Sequence, residues 1–201
     1  NNSRRWWDPA EENVPYGTSY WDEKGGRATE NLWGDNSRVI MDRVIPFMRA
    51  AALKDQPFFT IVWFHAPHLL VVAGPQYTRM YASHEKYAQH YYGCITAMDE
   101  QMGRLRTELR AMGVAQNTLV AFCSDNGPEG QANNAPGMAG HLSGRKRSLL
   151  EGGIRVPGLI EWPGKVRPGN TIIPAVTSDY LPTILDIIGV KPAYNRPLDG
   201  V

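Results

Sequence analysis

The chain has 201 residues, which is long enough for one large domain with a sizeable hydrophobic core. Its 21 lysines and arginines nearly balance its 20 aspartates and glutamates, so the net charge at pH 7 is +1. This balance argues against nucleic acid as a partner, because such proteins usually carry a basic face. No apolar run approaches the roughly 20 residues that a membrane span requires, so no membrane-spanning segment is expected.

Residues 1–34 are expected to form an irregular, aromatic-rich segment of the same domain as the rest of the chain. They contain many tryptophans and tyrosines among glycine, asparagine and charged residues, with no sustained period. The aromatic side chains either anchor the segment to the surface of the domain or form a wall that faces a sugar substrate. We favour anchoring, because long irregular segments need it.

Three helices are predicted. Asp35 is suited to cap the first one, which Pro46 should kink or split and which ends before Pro57. A stripe of apolar residues at steps of three and four predicts a long second helix over residues 85–112. A third helix is expected from about residue 178 to residue 188, since a glycine follows it directly.

Three strands are predicted over residues 58–64, 118–123 and 156–162. The first two are nearly continuous apolar runs, which is typical of strands that are buried on both faces. Helices and strands therefore alternate along the chain. This order predicts an α/β fold with a mostly parallel or mixed β-sheet sandwiched between helices.

Polar side chains follow two of these strands where each one ends. His65 and His68 follow the first strand, and Asp125 and Asn126 follow the second. Parallel strands would bring both sets to the same rim of the sheet, where functional groups of such folds are found. His68 is suited to donate to an anionic oxygen or to protonate a leaving group, or else it is a rim histidine bonded to a backbone carbonyl.

Asp125 and Asn126 offer a carboxylate and an amide oxygen side by side, which are donors that calcium or magnesium prefers. The same residues before Gly127 are also favourable for an ordinary turn, and both interpretations stay open. Arg145, Lys146 and Arg147 form a cationic cluster between glycine-rich passages. A lysine in a cleft would neutralise sulfate or phosphate oxygens, although the cluster is equally compatible with a solvated turn.

The spacing of Arg145, Lys146 and Arg147 does not rank them. The two cysteines, Cys94 and Cys123, match no metal or redox spacing. Two free thiols are expected, and a disulfide between them stays open.

Two passages together resemble the sulfatases of the alkaline-phosphatase-like superfamily. Residues 124–128 read Ser-Asp-Asn-Gly-Pro, and residues 144–157 contain Gly-Arg-Lys-Arg followed by Glu-Gly-Gly-Ile-Arg-Val-Pro. The resemblance covers residues 35–201, which we interpret as the C-terminal part of a sulfatase catalytic domain and hence an incomplete fragment. Further passages agree with it in the same order: residues 57–68, 98–105, 179–183 and 198–200.

The resemblance implies a role for each matching residue. Asp125 and Asn126 would be ligands of a calcium ion that binds the sulfate group. Lys146 would contact a sulfate oxygen, and His68 would contact the sulfate ester and assist its departure. The implied activity is hydrolysis of a sulfate ester in a sulfated small molecule or glycan.

The family's nucleophile is a formylglycine made within a Cys/Ser-x-Pro-x-Arg motif, and these 201 residues contain no such motif. It is expected upstream, so this fragment alone should not turn over substrate. The proline that the family places two residues after the histidine is Leu70 here, which affects the expected substrate-side loop.

Two other functions remain open at this point. One is a phosphodiesterase or phosphonate monoester hydrolase of the same superfamily, and the other is a non-catalytic anion-binding relative. Asn126 after Asp125 favours sulfate and a single calcium ion, because those hydrolases usually pair aspartate and histidine at two metals. The resemblance also implies a periplasmic or extracellular location. The sequence does not indicate the oligomeric state or which ester is cleaved.

Overall fold

The computed structural model describes residues 19–68, 71–130, 136–191 and 196–201. The chain forms two compact units, residues 1–166 and 167–201. The first aromatic residues of the predicted irregular segment and Leu70 lie outside the described residues. The helices are α1 (Asn36–Ala52), α2 (Pro75–Thr78), α3 (Lys86–Ala111), α4 (Glu151–Ile154) and α5 (Tyr180–Ile188), and the strands are β1 (Val120–Cys123) and β2 (Gly158–Glu161).

The first two predicted long helices are confirmed, together with the residues that begin and end them. The Asp35 carboxylate accepts a hydrogen bond of 2.8 Å from the Ser37 N–H and so caps α1. Helix α1 continues without a break through Pro46, which is exposed. Helix α3 is followed by Gly113 in the left-handed region at φ +74°, a conformation that favours glycine after a helix.

Helices α1 and α3 pack against each other and form the main core of the first unit. Met41, Ile45 and Met48 of α1 meet Leu105 and Leu109 of α3 in one buried cluster. Ion pairs border the cluster, because Asp42 bonds two arginines and a further arginine of α1 bonds a glutamate of α3. This pair of helices is the platform against which the other segments lie.

Part of the irregular segment before α1 is anchored as expected. Tyr20 and Leu32 pack on a second buried cluster that includes Val39 of α1 and Cys94 of α3. The Trp33 ring is half exposed and lies under the Arg38 guanidinium, 4.2 Å from the ring centroid. For these residues the contacts support anchoring to the domain surface.

Strands β1 and β2 form an antiparallel pair in which Val120 lies opposite Glu161 and Cys123 lies opposite Gly158. Both strands were predicted, although each is shorter than expected. Their antiparallel direction is compatible with a mixed sheet but not with parallel strands. Pro157 precedes β2 and lacks the N–H that would extend the ladder.

The predicted strand over residues 58–64 does not join a sheet, so this prediction is wrong for the described residues. Its side chains nevertheless alternate: Phe58, Val62 and Phe64 pack on the α1–α3 core, whereas the residues between them are exposed or polar. Trp63 is 81% exposed. A strand requires a hydrogen-bonding neighbour, and the described residues supply none here. The segment is therefore buried on one face and not on two.

The second unit is built around α5, and its predicted helix is confirmed. One 3-10 turn, Thr177–Asp179, leads into α5, and Gly189 ends it at φ +68°. The Asp179 carboxylate accepts from the Val176 N–H at 2.8 Å and from the Val201 N–H at 3.2 Å. Among the helices of the described ranges, none is long and apolar enough to cross a membrane.

Candidate functional site

The loop that follows β1 presents two oxygen-bearing side chains. Asp125 is exposed and Asn126 is half-buried. The Asn126 amide nitrogen donates to the Gly127 carbonyl at 2.8 Å, and the Ser124 hydroxyl donates to the Asn126 carbonyl at 3.1 Å. The Asp125 carboxylate and the Asn126 amide oxygen are therefore the atoms that this loop offers to a cation.

This loop is joined by backbone hydrogen bonds to the turn that carries the cationic cluster. The Gly127 N–H donates to the Gly153 carbonyl at 2.8 Å, and the Lys146 N–H donates to the Pro128 carbonyl at 3.1 Å. Gly127 allows this close approach, because a Cβ atom there would lie 1.9 Å from the Gly152 carbonyl oxygen. The backbone at Lys146 is thus bonded to the loop that carries the Asp-Asn pair.

The structure distinguishes the three cations that the sequence left unranked. The Arg145 guanidinium donates to the backbone carbonyls of Glu129 at 2.9 Å and Gly137 at 2.6 Å, so it braces two loops. The Arg147 side chain is 75% exposed and bonds the Glu129 carboxylate at 2.5 Å. The Lys146 ammonium lies 3.6 Å from the same carboxylate, and its side chain is only 25% exposed.

Glu129 is a residue of this cluster that the sequence reasoning missed. Its hydrogen bond with Arg147, with a further contribution from Lys146, lowers the pKa of the Glu129 carboxyl. It is therefore an anion that faces both cations. Its position directly after Asp-Asn-Gly-Pro was the available signal, because a charged residue there must lie near whatever the loop binds.

His68 is placed by a different part of the chain. It is exposed, and its backbone N–H donates to the His65 backbone carbonyl at 2.7 Å. Burial lowers the pKa of the half-buried His65, and the nearby His68 adds to the effect. Ala66, between the two histidines, packs on the second buried cluster, which includes Val39 of α1 and Cys94 of α3. The helical core thus fixes the segment that presents His68.

The oxygen donors of this loop fit part of a calcium site. Calcium takes six to eight oxygen ligands, and Asp125 and Asn126 supply donors of the right type. Within the described ranges, no group of three or more histidine, cysteine, aspartate or glutamate side chains is arranged to hold a metal. The remaining ligands of such a site would have to come from other residues.

The two cysteines take no part in this cluster, and both are free thiols in the structure. Burial raises the pKa of the Cys94 thiol to about 12, and its S–H donates to the Val72 carbonyl at 3.2 Å. Cys94 is therefore a buried structural residue and an unreactive thiol.

Comparison with known sequences gives a consistent family. The family model described as Sulfatase matches residues 2–190. The uncharacterized sulfatase YdeN of Escherichia coli is 28% identical over 97% of this chain and 37% of its own length. Human arylsulfatase A is 34% identical over 76% of this chain and 29% of its own. The chain thus spans less than two fifths of these relatives.

Comparison with solved structures agrees with the family found from sequence. The crystal structure of Ps i-CgsB in complex with k-i-k-neocarrahexaose is 30% identical, with a TM-score of 0.80 over 88% of this chain and 39% of that one. The PsFucS1 sulfatase from Pseudoalteromonas sp. is 26% identical, with a TM-score of 0.73 over 96% of this chain. These similarities confirm the predicted alkaline-phosphatase-like α/β fold.

Proposed function

Because this chain belongs to the sulfatase family, we propose that it is the part of a sulfuric ester hydrolase that holds the sulfate group of the substrate. One observation carries the proposal. The paired backbone hydrogen bonds, Gly127 to Gly153 and Lys146 to Pro128, join the turn that carries Lys146 to the loop that carries Asp125 and Asn126. Such a set of groups suits an anionic substrate that is bound together with a cation.

In this proposal Lys146 and His68 act on the substrate. The Lys146 ammonium donates to a sulfate oxygen and stabilises the negative charge that develops there as the ester bond breaks. His68 donates a proton to the oxygen of the departing alcohol, because an alkoxide is a poor leaving group without one. The exposure of the His68 side chain is compatible with direct contact to a substrate.

Asp125 and Asn126 are proposed to hold a calcium ion through their side-chain oxygens. When bound, the ion would neutralise sulfate oxygens and so favour attack at sulfur. The exposed position of Asp125 directly after β1 supports this assignment, since its carboxylate is not used within a core. The nucleophile, expected to be a formylglycine, and the other ligands are proposed to lie in a part of the protein outside these residues.

The substrate is proposed to be a sulfated glycan. The similarity to Ps i-CgsB, which was crystallised with the oligosaccharide k-i-k-neocarrahexaose, supports a carbohydrate substrate. A polymeric substrate of this kind is too large to enter a cell freely. We therefore place the protein in the periplasm or outside the cell.

The test is an activity assay on the complete protein with calcium present. 4-Nitrophenyl sulfate and a panel of sulfated oligosaccharides should be hydrolysed, with inorganic sulfate released. Bis(4-nitrophenyl) phosphate and a phosphonate monoester should be hydrolysed much more slowly. Preferred hydrolysis of either phosphorus ester would contradict the proposal, and binding of sulfated glycans without turnover would indicate an anion-binding relative.

A further inference from the structure

An aromatic pocket is lined by residues that do not belong to the loops that hold Lys146 and Asp125. Tyr81, His84 and Tyr92, together with Ile95, line a cavity of about 270 Å³. The pocket is formed where the 3-10 turn Arg79–Tyr81, which follows α2, meets the first half of α3. Nothing in the reaction proposed above uses these side chains.

The three rings of the aromatic pocket touch one another. The centroids of His84 and Tyr92 are 5.2 Å apart, with the rings nearly perpendicular at 75°. Tyr81 lies 5.3 Å from Tyr92 and 6.3 Å from His84, tilted by 54° in both cases. The neighbouring Tyr91 packs on the buried core, whereas Tyr92 faces the cavity. The rings therefore form an open cluster and not a continuation of the core.

Hydrogen bonds fix this arrangement before any ligand arrives. The hydroxyl groups of Tyr81 and Thr96 are 2.6 Å apart, which ties the 3-10 turn to α3. The His84 backbone N–H donates to the Tyr81 carbonyl at 2.9 Å, and the Gln89 side-chain amide donates to the His84 carbonyl at 2.7 Å. A pocket whose walls are already ordered loses little conformational entropy on binding.

The chemistry of the pocket fits a sugar ring. The faces of aromatic rings carry a partial negative charge, and the C–H bonds on the face of a pyranose present a complementary partial positive charge. Ligand pockets combine such apolar walls with a few polar groups that fix orientation. His84 is exposed and supplies imidazole nitrogens for hydrogen bonds to sugar hydroxyls.

The segment that contributes Tyr81 and His84 to the pocket also carries charged side chains. Arg79 and Lys86 are exposed and lie close in sequence to Tyr81 and His84. The one carboxylate between them, Glu85, accepts hydrogen bonds from two N–H groups of α3 at 2.9 Å and 2.7 Å, and so serves as its cap. The segment from Arg79 to Lys86 therefore carries two exposed cations and one carboxylate that is used as a helix cap.

We infer that the aromatic pocket is a glycan subsite that binds one sugar ring of a sulfated glycan by stacking on Tyr92 and by hydrogen bonds to His84. This inference rests on the proposed function for its substrate class. The subsite contributes affinity for a polymer and plays no part in breaking the ester bond.

The experiment compares variants of the complete protein on two kinds of substrate. His84→Ala removes an exposed ring, and Tyr92→Ala removes the stacking surface. Each should weaken binding of sulfated oligosaccharides from carrageenan, chondroitin and fucoidan by about two- to tenfold, measured as KM or by calorimetry. Turnover of 4-nitrophenyl sulfate, which is too short to reach a second subsite, should not change.

Two control variants test whether a loss of glycan affinity comes from the pocket itself. Met80→Ala alters a neighbouring side chain that is 63% exposed and does not line the pocket, so glycan affinity should stay at the wild-type value. Tyr92→Phe keeps the ring and should retain most of the affinity. Thermal unfolding of each variant identifies a folding defect, and His84→Ala carries the test if Tyr92→Ala does not fold.

The outcomes separate this inference from the proposed function. Unchanged glycan affinity in His84→Ala overturns the subsite, and so does a wild-type protein that hydrolyses 4-nitrophenyl sulfate but binds none of the glycans. If the wild-type protein hydrolyses no sulfate ester, the proposed activity is overturned. If that protein nevertheless binds glycans and His84→Ala loses this binding, the subsite is supported.

Discussion

The capping carboxylate of α1 makes the stability of this domain depend on pH. Asp35 is only 5% exposed. One of its oxygens accepts the Ser37 N–H at 2.8 Å, while the other is buried and has no hydrogen-bond partner among the described residues. Burial raises the pKa of Asp35 from 3.8 to about 6. We predict that Asp35→Asn removes most of this pH dependence.

The direction and size of the pH effect on stability follow from the difference in the Asp35 pKa between the folded protein and the unfolded chain. The folded protein binds a proton at Asp35 more tightly than the unfolded chain, so the free energy of unfolding falls as the pH rises from about 4 through about 6. A shift of about two pH units corresponds to a loss of about 3 kcal/mol in total. Asparagine is an equally good cap, so the variant should keep α1 and lose the titration.

The measurement is urea unfolding of the complete protein, followed by tryptophan fluorescence at a series of pH values between about 4 and 8. The difference in free energy between Asp35→Asn and wild type should grow in favour of the variant as the pH rises through 6. Asp55→Asn, at an exposed position beyond α1, should reproduce the wild-type curve. Parallel curves for wild type and Asp35→Asn would refute the reasoning.

Three predictions concern the loops that form the candidate site. Lys146→Ala should reduce turnover by roughly 10²-fold or more, because it removes a charge that stabilises the transition state. Arg147→Ala should reduce turnover much less. A larger loss in Arg147→Ala than in Lys146→Ala would show that Lys146 is the wrong cation for this role. Asp125→Ala should weaken calcium binding, and an unchanged affinity in titration calorimetry would contradict the ligand assignment. Gly127→Ala should lower the free energy of unfolding by about 1–3 kcal/mol or more through a steric clash, whereas Gly103→Ala, with nothing near its Cβ position in α3, should stabilise the protein in denaturant titrations.

The helices were predictable because their signals are local. A capping residue such as Asp35, a stripe of apolar side chains and a glycine such as Gly113 act within a few residues of one another. The sheet was less predictable, because the direction of β1 relative to β2 depends on a long intervening segment. In residues 58–64 the outward side chains are as apolar as the inward ones, so the sequence contains no sign of which face is buried.

For the candidate site, the sequence indicated the residue types but not their connections. The order along the chain showed a carboxylate and an amide at Asp125 and Asn126 and a cationic cluster after them, but it did not single out Lys146. Their connection depends on hydrogen bonds between backbone groups, which any residue type provides and which therefore leave little trace in sequence. Likewise, the difference between Lys146 and Arg147 depends on a common partner, Glu129.

The two cations make unequal contacts with that common partner, and this bears on the role proposed for Lys146. Arg147 donates a charge-assisted hydrogen bond of 2.5 Å to the Glu129 carboxylate. Lys146, at 3.6 Å, is attracted by the same carboxylate but lies beyond hydrogen-bonding distance. The ion pair therefore orients the Lys146 ammonium without occupying its donors. In the proposed function, a sulfate oxygen would bind to Lys146 while Arg147 continues to neutralise Glu129, which would otherwise repel the substrate.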